Sequence, residues 1–212
     1  MRRASRWREA VFAGLCAFGA AAPSAAARTV SYDQKTILDG EVTMAKVVMQ
    51  DNQFRMEAVQ DGTNTVAIRN DRGIFTYLPD EHLAMKLPAL ETSQGTVIQD
   101  LNDFVGYVNE HNGTVIGAEV IDGKPCDIYQ FTDPANGNAT KAWVWKDQQF
   151  PLRLEVDGPE GTITTEFMNV QFDIPVDASA FELPPGIELT SSTEGAGLMG
   201  DLMHKLGNEE EP

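Results

Sequence analysis

Cysteine is nearly absent from this 212-residue chain, which has Cys16 and Cys126, and histidine is limited to His82, His111 and His204. Cys16 falls in an N-terminal leader, so the rest of the chain keeps a single thiol. No internal disulfide can form, and stability has to come from an apolar core. Each histidine sits in a different predicted element, and no pair has metal-ligand or acid–base spacing. Cys-x-x-Cys, His-Glu-x-x-His, the Gly-x-Ser-x-Gly elbow and a phosphate-cradling glycine loop are all missing. Asp61-Gly62-Thr63-Asn64 lacks the donor spacing of a calcium loop. Basic residues are also scarce, at 16 Lys and Arg against 32 Asp and Glu. That balance excludes nucleic acid and disfavours anionic membrane surfaces. Carboxylates are so numerous that suggestive pairs arise by chance, and none is assigned as a glycosidase pair. The chain reads as a non-enzyme with no catalytic residue, no metal and no cofactor.

Long apolar runs are missing as well. The longest, "AVFAGLCAFGAAAPS", is interrupted by Gly14, Gly19 and Pro23 and falls short of the ~20 residues that a spanning helix needs. It follows the basic "MRRASRWRE" and precedes the small residues Ala25-Ala26-Ala27, which predicts a signal peptide over 1–27 and a periplasmic protein. Leu15 is too bulky for a lipoprotein signal at Cys16. The leader holds four Arg and one Glu, so the remainder carries 12 basic and 31 acidic side chains, a balance of −19.

What is present is alternation. Short apolar/polar segments separated by turn residues predict strands at about 29–35, 41–49, 53–60, 64–69, 73–78, 82–87, 114–120, 126–132, 140–146, 151–157 and 162–172. The turns include Asp39-Gly40, Asp61-Gly62 and Asp122-Gly123, pairs suited to tight hairpins. The implied fold is mainly β (α+β), an antiparallel sheet of about eleven strands wrapped into a sandwich or barrel. Over 95–110, Val97, Leu101, Phe104, Val105 and Val108 form one helical stripe, with Gly113 as a stop. "DASAF" (177–181) suggests a further short helical turn. The domain runs over 28–190, and 191–212 reads as a mobile acidic tail. Within that tail, Leu198, Met199, Leu202, Met203 and Leu206 mark a short amphipathic helix.

The pleat suggests where a guest could lie. Phe54 and Met56 share one face of their strand, with Arg55 and Glu57 on the other, and Leu83, Met85 and Leu87 repeat the pattern. In "GEVTMAKVVMQ" both registers are apolar, which predicts cover on both faces. A curled sheet this wide leaves more space than its own side chains fill. The expected ligand wall is Met44, Phe54, Met56, Met85, Trp143, Trp145, Leu152, Leu154 and Met168, methionine-rich and so adaptable. The expected lid is Leu101 and Phe104, with Leu202 and Met203 from the tail. Cys126 reads as a packed hydrophobe.

The layout "GEVTMAKVVMQDNQFRMEAVQDGTNTVAIRNDRGIFTYLPDEHLAMKLP", then a helix, then "AWVWKDQQFPLRLEV" and "AFELPPGIEL" resembles the LolA/LolB superfamily of envelope lipoprotein carriers. Two short signatures carry the resemblance over about 29–190: Phe150-Pro151-Leu152-Arg153 after a Trp-containing strand, and Phe181-x-Leu-Pro near the end. It implies a half-open β-barrel with a covering helix and an apolar cavity for lipid or the acyl chain of a lipoprotein. It also implies a monomer working in a Gram-negative envelope. Carriers use a cavity arginine to hold the lid, but alternation puts Arg55 on the face opposite Phe54 and Met56, so that role is not carried over. The rival expectation is an envelope protein-interaction or stress-sensing module that shares the fold without transfer activity.

Overall fold

The computed structural model describes residues 28–60, 62–87, 101–132, 137–158 and 161–190. The expected signal peptide, residues 95–100 of the expected helix, and the tail helix with Leu202 and Met203 lie outside the described residues.

All eleven expected strands are present: β1 (Val30–Leu38), β2 (Glu41–Gln50), β3 (Gln53–Gln60), β4 (Thr63–Asn70), β5 (Gly73–Leu78), β6 (Leu83–Leu87), β7 (Thr114–Ile121), β8 (Lys124–Thr132), β9 (Ala139–Trp145), β10 (Phe150–Gly158) and β11 (Gly161–Phe172). A twelfth, β12 (Glu188–Thr190), is too short for alternation to reveal. One curved, unclosed sheet holds them in the order β12-β6-β5-β4-β3-β2-β1-β11-β10-β9-β8-β7. The chain meanders outward from β1 to β6, crosses to the far edge at β7, and meanders back so that β11 pairs with β1. All pairings are antiparallel except β12 on β6. The hairpins close where the sequence places them. Asp39 and Gly40 take φ of 52° and 84°, and Asp122 and Gly123 take 49° and 75°, the left-handed pair that matches strand twist.

Helix α1 (Phe104–Glu110) follows a 3-10 turn at Leu101–Asp103. Asp103 caps it by accepting from the Gly106 N–H at 3.2 Å. It ends with Asn112 in the left-handed region and the Gly113 N–H donating to the Val108 carbonyl at 2.8 Å. A Cβ at Gly113 would run into the Val108 side chain and carbonyl, which is why the stop is a glycine.

Two cores result. The central one is aromatic, with the Tyr32 ring 5.7 Å from Phe150 and 5.2 Å from Phe167. Phe172 extends it, 5.6 Å from Phe150. Arg28 clamps this end, with its guanidinium 4.1 Å above Phe172 and donating to the Gln148 side chain and carbonyl. The second core lies on the outer face of β4–β6, where Val66, Ile68, Tyr77 and Ala84 pack under Leu183 and Ile187. The strap carrying those two residues includes the expected helical turn, a 3-10 turn at Ala178–Phe181. Asn70 Nδ2 pins it by donating to the Phe181 carbonyl at 2.8 Å, and Arg55 Nη1 donates to the Ala180 carbonyl. Among the described residues, no helix is long and apolar enough to cross a bilayer.

Candidate ligand-binding face

Because paired residues in neighbouring strands share a face, the ladder registers trace which side chains line one surface. Tyr32 pairs with Val47, Val47 with Met56, Met56 with Ala67, Ala67 with Thr76, and Thr76 with Met85. A second row runs Val30, Met49, Phe54, Arg69, Ile74, Leu87. On the other half of the sheet, Gln34 pairs with Phe167, Thr165 with Leu154, and Leu154 with Ala142. This is one continuous inner face. It brings together Phe54, Met56, Met85 and Leu154, four of the residues expected from sequence, and leaves Leu152 buried at a β10 bulge beside them. Along the first row two small side chains, Ala67 and Thr76, lie side by side between Met56 and Met85.

The helix lies on this same face. Phe104 stacks edge-on with Phe131 at 6.4 Å, and Tyr107 does so at 5.9 Å. Phe131 pairs with Thr140, which follows Ala142 on the inner face. Of the expected stripe, Leu101, Phe104 and Val108 are buried, Val105 is half-buried, and Val97 lies outside the described residues. Among the described residues, the helix and its preceding turn pack chiefly against β10.

Four expected wall residues go elsewhere. Trp143 pairs with Arg153 and Ile128 on the outer face, where its indole N–H donates to Glu119 at 2.6 Å and the Arg153 guanidinium sits 5.2 Å from its ring. Arg153 approaches Glu119 at 4.0 Å and Glu166 at 3.9 Å, and Lys35 closes the row on Glu166 at 3.1 Å. The tryptophan is thus the floor of an outer ion-pair ladder, and β9 turns the small residues Thr140, Ala142 and Val144 inward. Met44 pairs with Lys35 on the outer face and is 47% exposed, with Val42 also exposed, so β2 is not covered on both faces at this end. Met168 pairs with Asp33, again outward, just before Asn169 breaks the register at φ 53°. Trp145, beyond the β10 bulge, packs on Phe172 at 6.1 Å instead of joining Trp143.

The inner-face residues that reading the sequence missed are Tyr32, Val47, Ala67 and Thr76, and also Arg69. Spacing could have found it, since Thr65, Ala67 and Arg69 alternate with the buried outer residues Val66 and Ile68. Desolvation lowers its pKa below the usual guanidinium value. Burial likewise pushes the Tyr32 phenol far above its ordinary range. Cys126 is buried, as expected, and burial raises its thiol pKa. Among the described residues, no group of three His, Cys, Asp or Glu is placed to hold a metal ion.

Neither a protein-family model nor a curated protein matches the chain. Solved structures do. An uncharacterised conserved protein from Thermus thermophilus superposes with a TM-score of 0.56 at 10% identity, over 77% of this chain and 90% of that one. Lipoprotein LppX from Mycobacterium tuberculosis gives 0.47 at 18% identity, over 82% and 96%. A putative outer membrane lipoprotein-sorting protein domain from Vibrio parahaemolyticus gives 0.39 at 9% identity, over 76% and 91%. The likeness to the Thermus protein shows a shared fold. At such identities the likeness is one of architecture, and function has to be read from the chain's own residues.

Proposed function

We propose that this chain is a periplasmic, non-enzymatic binding protein that holds a lipid, or the acyl chain of a lipoprotein, against the inner face of its half-barrel. The observation that carries this reading is the inner row Tyr32, Val47, Met56, Ala67, Thr76, Met85. An unbranched apolar chain fits over the small Ala67 and Thr76 and between two methionines whose thioethers adapt to it. Helix α1 acts as lid, seated through Phe104 and Val108. A guest enters by displacing side chains that otherwise bury one another, so binding and helix movement are linked.

The test is to strip the purified protein of lipid, add palmitate, and record its native mass spectrum. A recovered palmitate adduct that is lost on Ala67→Trp, which fills the gap between Met56 and Met85, supports the reading. A stripped, folded protein that never regains the added mass refutes it.

A further inference from the structure

Strand β7 is anomalous in its own sheet. Five of its eight residues, Val115, Ile116, Ala118, Val120 and Ile121, are apolar, yet six of the eight are exposed, on both faces. Val115, Ile116 and Val120 are 55%, 51% and 65% exposed. The strand is held by its ladder to β8, and its other edge has no ladder partner among the described residues. The opposite edge of the sheet is treated differently, since the chain caps β6 there with its own β12. Natural edges are blunted with lysine, proline, short length or bulges. β7 has neither lysine nor proline and is eight residues long, with a single register shift between Val115 and Gly117. Its one charge, Glu119, is turned to the outer face and engaged by the Trp143 indole N–H.

Charge decides the occupant. Exposed acids flank the strand along the chain, Asp122 directly after it and Glu110 four residues before it, at the end of α1. The nearby Lys124 leans over the Trp145 ring at 5.5 Å. A second copy would bring another net charge of −16 against this one, which opposes self-pairing. A strand with basic ends meets the acids instead, with those ends about 25 Å apart at ~3.3 Å per residue. We propose that the free edge of β7 is a strand-addition site for a partner protein's extended segment, apolar at alternate positions and carrying Lys or Arg at both ends. Main-chain hydrogen bonds supply the binding, and Val115, Ile116 and Val120 supply apolar contact. The site lies at the β7 edge, away from the row Tyr32, Val47, Met56, Ala67, Thr76, Met85, and does not depend on what that row holds.

The probe is a fluorescein-labelled peptide, KVTVTVTVK, titrated into the full chain and followed by anisotropy, with EVTVTVTVE as its charge-reversed control. Saturable binding is expected for the basic-ended peptide, weakened at least about tenfold by Val120→Lys or by the acidic ends. The β7 amides should gain protection from hydrogen exchange on binding. Val120 is exposed, so V120K should melt with the wild type, which separates lost binding from lost folding. The proposal is overturned if the natively folded chain does not bind the basic-ended peptide, or if V120K leaves that binding unchanged. It is equally overturned if sedimentation shows a wild-type dimer that V120K dissociates, since the edge then belongs to a second copy.

Discussion

Phe104→Ala separates a lid from a core element. Leu101, Phe104 and Val108 are the anchors that seat α1, all of them buried. Three buried apolar side chains contribute roughly 5–9 kcal/mol gross. Fixing the backbone of the seven residues of α1 costs a similar ~7–14 kcal/mol before helix hydrogen bonds are counted. Docking is therefore a small difference, and truncating a buried Phe removes about 3 kcal/mol or more. That loss exceeds what holds a lid down. The expected result is that the His111 and Gly113 amides, bonded to the Tyr107 and Val108 carbonyls, exchange at close to free-peptide rates in the variant. The sheet should stay folded, with its urea stability lowered by less than about 2 kcal/mol, because stability lost by undocking is capped at the docking energy. Hydrogen exchange read by mass spectrometry, beside a urea titration, measures both. If helix and β1–β2 amides lose protection together and global stability falls by the full ~3–5 kcal/mol of a core truncation, α1 is structural and the lid argument fails.

Two other outcomes follow from the geometry. Burial raises the Tyr32 phenol pKa, so below the ordinary tyrosine value of about 10 both folded and unfolded chains keep the proton and nothing changes. Above it the unfolded chain ionises first, and stability falls as pH rises. Tyr32→Phe should abolish that alkaline loss in urea titrations between pH about 10 and 11, while costing within ~1 kcal/mol at neutral pH, since its hydroxyl reaches only the Met49 sulfur at 3.5 Å. Parallel pH profiles for the two proteins would contradict this. At the strap, Asn70→Ala should cost roughly 1–3 kcal/mol by leaving the Phe181 carbonyl without its buried donor. Arg72→Ala, which removes the exposed pair with Glu182, should change stability by less than about 1 kcal/mol. Equal effects in thermal melts would show that the strap is not held as described.

Strand positions were legible because alternation and turn chemistry are local. Asp-Gly pairs announce hairpins wherever they stand, and the helical stripe at Leu101, Phe104 and Val108 needs only its own spacing. Which face is inside is not local. In β9 both registers are apolar, and size misled: Trp143 points outward to a salt-bridged floor, Trp145 packs on Phe172, and the buried face is built from Thr140, Ala142 and Val144. Met44 and Met168 fail for related reasons. One sits in a strand apolar on both faces, and the other precedes a bulge at Asn169 that no local pattern announces. Phe54, Met56 and Met85 lie on the inner face, a placement the sequence could indicate because charged residues alternate with them or flank them. β12 escaped because three residues behind two prolines carry no periodicity, and its partner β6 lies about a hundred positions away along the chain.

The placement of β1 has a consequence for how the molecule is made. Among the described strands β1 is made earliest, and it sits mid-sheet, with Val30 against Met49 on one flank and Phe172 on the other. It can find its nearer neighbour at once, but the second seam must wait for almost the whole chain, and closing so long a loop is slow. Until that last hairpin arrives, the nascent protein carries a raw central margin. Such a delay keeps a polypeptide threadable, and it also makes that margin the place where premature aggregation would begin.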